Sequence, residues 1–389
     1  MTDFSVTQYN PYNMYQNFGY YPAFRGATVP QNNYNSVPQM TQQPDTVSFS
    51  ANGQIQAETQ KKGLSKEAKW GIGAVAVLGL GALAYVLTKG KAGTKQVQQL
   101  AEHVDFQPAK TIEEAKLFAK EKLGVHIDGD LPVDVLNYAN EGLCTLRNKA
   151  PKDFNIKWIE SNPIGGGYDA EGLAQLISSK KNSNLYGINL SSNYIKNLDK
   201  TISELINGEI EKGALIKVNN KLQYSDLYAR ADISSEISEL ANRFKANPAS
   251  LSFKDKVRLH LGICDIEEGL FIQCNGDISK LADNVKIISS PFHPIFHEEG
   301  HILHRMNITK DKFDLLDHIE ILKQKGLDTS IVEEFKNKYQ SIAGRVSDYA
   351  MDSPAEFVAE VYAKMLNGAK FDNEVMSLYA KYGGKPIIA

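Results

Sequence analysis

A chain of 389 residues, 42% of them hydrophobic, is long enough for one or two domains and apolar enough to bury a core. Its 43 basic and 46 acidic side chains nearly cancel, to −3, and no basic block gathers them, which excludes nucleic acid as an expected partner. Cys144, Cys264 and Cys274 are odd in number, widely spaced and without a CxxC pair, which predicts buried thiols and excludes a thiolate metal site of that kind.

Residues 1–60 are rich in Tyr, Asn, Gln and Pro, hold Arg25 as their only basic residue and show no sustained period, so a disordered tail is predicted. Met1 is followed by polar residues, unlike the opening of a secretory signal. Residues 61–91 read as a transmembrane helix with lysine flanks. The unbroken apolar run 70–87, WGIGAVAVLGLGALAYVL, lies between Lys66 and Lys69 on one side and Lys89 and Lys91 on the other. About 20 helical residues span a bilayer, and Trp70 and Tyr85 stand near the two interfaces. The competing reading is a buried, glycine-rich core helix. A single-pass membrane protein is expected, with similar lysine numbers at both ends giving no orientation.

Residues 92–245 read as a helical and mixed accessory region. Thr111 with Glu114 forms a capping box before a helix through Ala115, Phe118, Ala119 and Leu123, and a second helix is predicted over Pro132 to Leu146. Asn184 to Leu190 reads as a strand, and ALIKV and KLQY around Asn219-Asn220 as a two-residue hairpin. Residues 230–263 read as helical, and Gly269 to Cys274 and Val285 to Ser289 as short strands. The predicted fold class is α+β, helix-rich with a small sheet.

Residues 246–389 hold the motif that carries chemistry. HExxH occurs as His297-Glu298-Glu299-Gly300-His301. A helix brings residues four apart onto one face, so both imidazoles can reach one metal ion while Glu298 stands beside them to take a proton from a water. A catalytic zinc takes three protein ligands and keeps one position open, so a third ligand is required. The HExxHxxGxxH pattern would need glycine at 304 and histidine at 307, where this chain has His304 and Asn307. The other common solution is a glutamate from a downstream helix, and the segment YAMDSPAEFVAE, Tyr349 to Glu360, offers Glu356 and Glu360. Ser353 and Pro354 read as N-cap and first helical residue, which sets Glu356 in the first turn and Glu360 one turn later. Ser353-x-x-Glu356 is also a capping box, so Glu356 has a structural reading beside the ligand reading. His293 and His304 read as packed or surface histidines and Glu299 as a solvated charge. Gly300 marks close approach to substrate or neighbouring backbone.

HEEGH followed by Tyr349 and then SPAEFVAE resembles the gluzincin metallopeptidases, in the branch that includes the catalytic domain of anthrax lethal factor and related bacterial and phage-encoded domains. The resemblance covers about residues 285–370. It implies that Glu356 is the third zinc ligand, that Tyr349 stabilises the oxyanion, and that Glu360 is either an alternative ligand or an outer acceptor for an imidazole N–H. The expected domain at 246–389 is therefore a zincin-like zinc metallopeptidase. The expected activity is that of a membrane-anchored endopeptidase acting on proteins or peptides, with Glu298 as general base toward a zinc-activated water. By fold analogy, Gly269 to Cys274 or Val285 to Ser289 is expected to hold an extended peptide along a sheet edge. The competing expectations are a catalytically idle, membrane-tethered interaction protein that retains the zinc fold and a secreted effector that uses the apolar run for insertion.

Overall fold

A computed structural model describes residues 103–163, 173–178, 185–274, 277–317, 326 and 328–387. The predicted tail and the predicted transmembrane segment lie outside these residues. Among the described residues no helix is long and apolar enough to cross a membrane.

The first helix, α1 (Ile112–Phe118), starts as its sequence dictates: Thr111 Oγ1 accepts from the Glu114 amide, and Glu114 Oε2 accepts from the Lys110 amide. It runs into a π-turn at Ala119–Leu123, which Gly124 ends in the left-handed region at φ 69°. Strand β1 (His126–Ile127) and helix α2 (Val133–Lys149) follow, then β2 (Ile156–Glu160), β3 (Ala174–Ser178) and β4 (Tyr186–Leu190). These strands form a sheet in the order β1–β2–β4–β3. The first three are parallel, and β3 is antiparallel to β4 with Leu176 opposite Ile188. All five residues of β4 are buried, as befits a strand paired on both sides.

Helix α3 (Ser192–Glu211) is capped by Ser191 and buries Tyr194, Leu198, Ile202 and Ile206, a stripe at four-residue spacing. The hairpin β5 (Leu215–Val218) to β6 (Lys221–Tyr224) turns at Asn219 and Asn220, with φ 50° and 63°. Positive φ at both central residues is what a two-residue turn of this hand needs, and asparagine tolerates it. Helices α4 (Ser234–Ala246) and α5 (Phe253–Cys274) fill the predicted helical stretch.

Two predicted strands are corrected here. Gly269 to Cys274 is the last turn and a half of α5, because the buried spacing Leu259, Ile263, Ile266, Leu270, Cys274 continues the helical period to the end. Val285 to Ser289 forms no strand: Val285 makes a single bridge to Ala231, and the Ile287 amide donates to the Asp232 carboxylate in place of a ladder. Beyond them come α6 (His293–Asn307), α7 (Lys310–Asp317), α8 (Ser330–Glu334), α9 (Gln340–Ala343), α10 (Pro354–Leu366) and α11 (Asn373–Lys381). The described residues are therefore α+β, helix-rich with a small mixed sheet.

Among the described residues two apolar cores result. The larger runs from Ala115 on α1 to Leu366 on α10, gathering the sheet, α2 to α5 and the apolar side of α6. The smaller holds Leu316, Val332, Phe335, Val375 and Tyr379 around the other face of α10, through Ala355, Phe357, Val358 and Val361. Helix α10 thus stands between them, with α6 against it. The three cysteines are free thiols, Cys144 and Cys274 buried and Cys264 half-buried.

Candidate metal centre

Pro294 sits in the first turn of α6, where its missing N–H costs nothing, and Ile295, Phe296, Ile302 and Leu303 bind the helix to the larger core. The opposite side faces α10 at very short range. A Cβ at Gly300 would lie 2.9 Å from Ala359 Cα and 3.1 Å from its carbonyl oxygen, so the approach depends on the missing side chain. The backbone neighbour expected at Gly300 is therefore α10.

That approach aligns the start of α10 with the two histidines. His297 Nε2 lies 3.0 Å from His301 Nε2 and 3.0 Å from Glu356 Oε2, and His301 Nε2 lies 3.2 Å from Glu356 Oε2. Ser353 Oγ accepts from the Glu356 amide at 3.1 Å, so the helix cap uses that residue's backbone while its carboxylate faces the imidazoles. Capping and convergence on the histidines are thus compatible.

Glu360, one turn on, does not reach the same point. Its Oε1 accepts from His297 Nδ1 at 2.8 Å and from His293 Nε2 at 2.8 Å, and its Oε2 accepts from Ser347 Oγ at 2.9 Å. With its Nδ1 side held by Glu360, His297 turns Nε2 toward His301 and Glu356. His301 Nδ1 is buried and finds no hydrogen-bond partner among the described residues.

Glu298 is buried beside the pair, close to the Leu176 backbone of β3 and to both histidines. Burial pushes its carboxyl above the ordinary value, against the pull of His297 and His301. Tyr349, in a short 3-10 turn (Tyr349–Met351), hydrogen-bonds Glu356, with its ring centroid 5.4 Å from that of His297. Burial and the Glu356 charge hold its hydroxyl well above the ordinary phenol range, so it stays a donor. Burial opposes the charged forms of Glu356 and Glu360, yet the neighbouring histidines win and keep both carboxyls well below the usual range. Burial likewise disfavours protonated His297 and His301, and the glutamates outweigh it and raise both.

The donor set fits a zinc ion. Tetrahedral zinc at about 2.0–2.1 Å from its ligands spaces neighbouring donor atoms about 3.3 Å apart, close to the separations seen among these three. Two ring nitrogens and a carboxylate oxygen converge with more lone pairs than hydrogens to share, so a proton or a cation must lie among them. His297, His301 and Glu356 form one of the two groups among the described residues close enough to hold a metal ion; the other, His293, His297 and Glu360, shares His297.

The remaining neighbours divide. Glu299 does turn away from the pair, but it is fully buried instead of solvated: its Oε1 accepts from Asn155 N at 2.9 Å and Asn155 Nδ2 at 3.0 Å, and burial pushes it up to about 8. His304 is a packed histidine, bonded through Nε2 to the Tyr382 carbonyl at 2.8 Å. His293 and Ser347 join the Glu360 network. The four-residue offset from His297 was a signal for His293, whereas nothing local pointed to Ser347. No known protein family, curated protein or solved structure matches this chain.

Proposed function

We propose that this chain is a zinc-dependent endopeptidase acting on proteins or peptides, anchored in a membrane through residues 70–87. One observation carries the catalytic reading: two imidazoles from α6 and a carboxylate from α10 converge within 3.2 Å, with the Glu298 carboxylate buried beside them. The membrane reading is supported by the apolar run and its lysine flanks.

His297, His301 and Glu356 would hold the ion, and Glu360 would fix the His297 ring from behind. Zinc bound there supplies an acidified water and a polarised scissile carbonyl, worth several kcal/mol at the transition state. Glu298 accepts the proton of the attacking water and returns it to the leaving amine; its raised affinity for a proton suits a group that must hold one between the two steps. Tyr349 would redirect its hydroxyl hydrogen from Glu356 to the oxygen on which negative charge develops, a contribution of about 3 kcal/mol for such donors. The peptide would lie along β3. This strand pairs with β4 and stands at the edge of the sheet, and Leu176 on it lies close to Glu298. That edge takes the place of the two corrected segments.

The test compares the purified full chain with Glu298→Gln by metal analysis and hydrolysis of an unstructured protein such as casein. Both should carry stoichiometric zinc, and hydrolysis should fall about 10²- to 10⁴-fold in the variant. Zinc in both with no hydrolysis in either would overturn the peptidase reading and leave a catalytically idle tether.

A further inference from the structure

We propose that His293 is a positioning residue for the metal centre, acting through Glu360 on His297 and setting how tightly zinc is held. The proposal rests on the zinc reading above.

The geometry is a linear relay. Glu360 Oε1 contacts two ring nitrogens at 2.8 Å each, His297 Nδ1 on one side and His293 Nε2 on the other. An ionised carboxylate has no hydrogen to give, so both nitrogens donate. For His293 this places a hydrogen on Nε2; in the neutral ring Nδ1 is then the acceptor. The Asn367 amide nitrogen lies 3.4 Å from that Nδ1, at the far end of α10, in position to donate. The order is therefore Asn367, His293, Glu360, His297, each link compatible with the next.

Two features separate this from ordinary packing. Glu360 is 3% exposed, and its carboxylate receives three donors, two from rings and one from Ser347, so its plane has no freedom to rotate away from His297. His293 and His297 also occupy the same face of α6 one turn apart, with ring centroids 6.3 Å apart, so one rigid helix carries both the metal-facing ring and the ring that anchors its acceptor. Without the His293 N–H, Oε1 keeps a single donor and the carboxylate can turn toward Ser347. The His297 ring then loses the partner that fixes its orientation. Outer partners of this kind change metal affinity by about 10- to 100-fold.

The experiment measures zinc affinity of the full chain by competition with a chelating dye at fixed pH, and the visible spectrum of the cobalt-substituted protein, for wild type, His293→Leu and His293→Gln. The glutamine amide can stand in for the Nε2 donor; leucine cannot. We expect His293→Leu to bind zinc about 10-fold more weakly, with shifted cobalt bands, and His293→Gln to stay within about 2-fold of wild type. If His293→Leu does not fold, His293→Phe keeps the ring's volume without its N–H and takes its place. A folded variant without the donor that matches wild type in affinity and cobalt spectrum overturns this inference alone. A wild-type chain that takes up no zinc overturns the metal reading, and this inference with it.

Discussion

Lys212, at the end of α3, joins two carboxylates: Glu209, three residues back at 2.5 Å, and Glu267 on α5. Burial pushes the Glu209 carboxyl up to about 7 from an ordinary 4.5; the Glu267 charge adds to the shift and Lys212 opposes it. A carboxyl raised on folding keeps its proton in the folded state where the unfolded chain has lost it. Its contribution to stability is thus complete below about pH 4.5 and is lost as pH rises through about 7. Unfolding free energy from urea titration should fall between pH 5 and pH 8 by on the order of 3 kcal/mol from this site, and Glu209→Gln should remove that slope. An unchanged slope in the variant would refute the assignment. Glu299 shows how far such detail is legible in a sequence. Its direction, away from the histidine pair, follows from helical geometry. Its burial depends on Asn155, which lies before β2 and 144 residues away, and no local pattern announces that contact.

At the scale of elements, the meeting of α6 with α10 decides whether the site exists. Gly300 makes it possible, because any Cβ there would press on the backbone of Ala359. Gly300→Ala gains about 1 kcal/mol of helix propensity but forces the two helices apart, and overpacking of this kind costs about 1–3 kcal/mol. The expected net effect is a modest loss of stability in urea together with a larger loss of zinc affinity, since Glu356 would withdraw from the histidines. A variant as stable as wild type with unchanged zinc affinity would show that the close approach is unimportant. The two helices that carry the site were readable because each has strong local punctuation: the HExxH spacing with Pro294 on one, Ser353 and Pro354 on the other. The hairpin was readable for the same reason, from Asn219-Asn220. The strands assigned at Gly269 to Cys274 and Val285 to Ser289 failed because short apolar runs fit either period. Only the preceding turns of α5, or a pairing that stops at the single Val285–Ala231 bridge, distinguish them. The 20-residue α3 carries a clear four-residue stripe, but the mixed texture after residue 151 obscures it.

Across the whole described structure the centre lies where the two cores meet, along the contact of α6 with α10. The histidines belong to a helix whose apolar side lies in the larger core, whereas Glu356 stands among Ala355, Phe357 and Val358 of the smaller one. The sheet order comes from pairings that range from 8 residues apart, Ser178 with Tyr186, to 32, His126 with Trp158, which is why a sheet could be expected from the sequence but the edge beside Glu298 could not. A ligand that binds only the folded state adds RT ln(1 + [L]/Kd), about 2.7 kcal/mol at a hundredfold excess over Kd. Zinc bound across the two cores should therefore raise the thermal midpoint, and a chelator should lower it to the value of the metal-free chain. Glu356→Gln should abolish most of the zinc-dependent rise because it removes a donor atom. Glu298→Gln should retain it, because Glu298 is not among the three residues whose donor atoms converge. A zinc-independent midpoint in wild type would mean that no ion bridges α6 and α10, whereas equal zinc-dependent rises in wild type and Glu356→Gln would move the third donor to another residue.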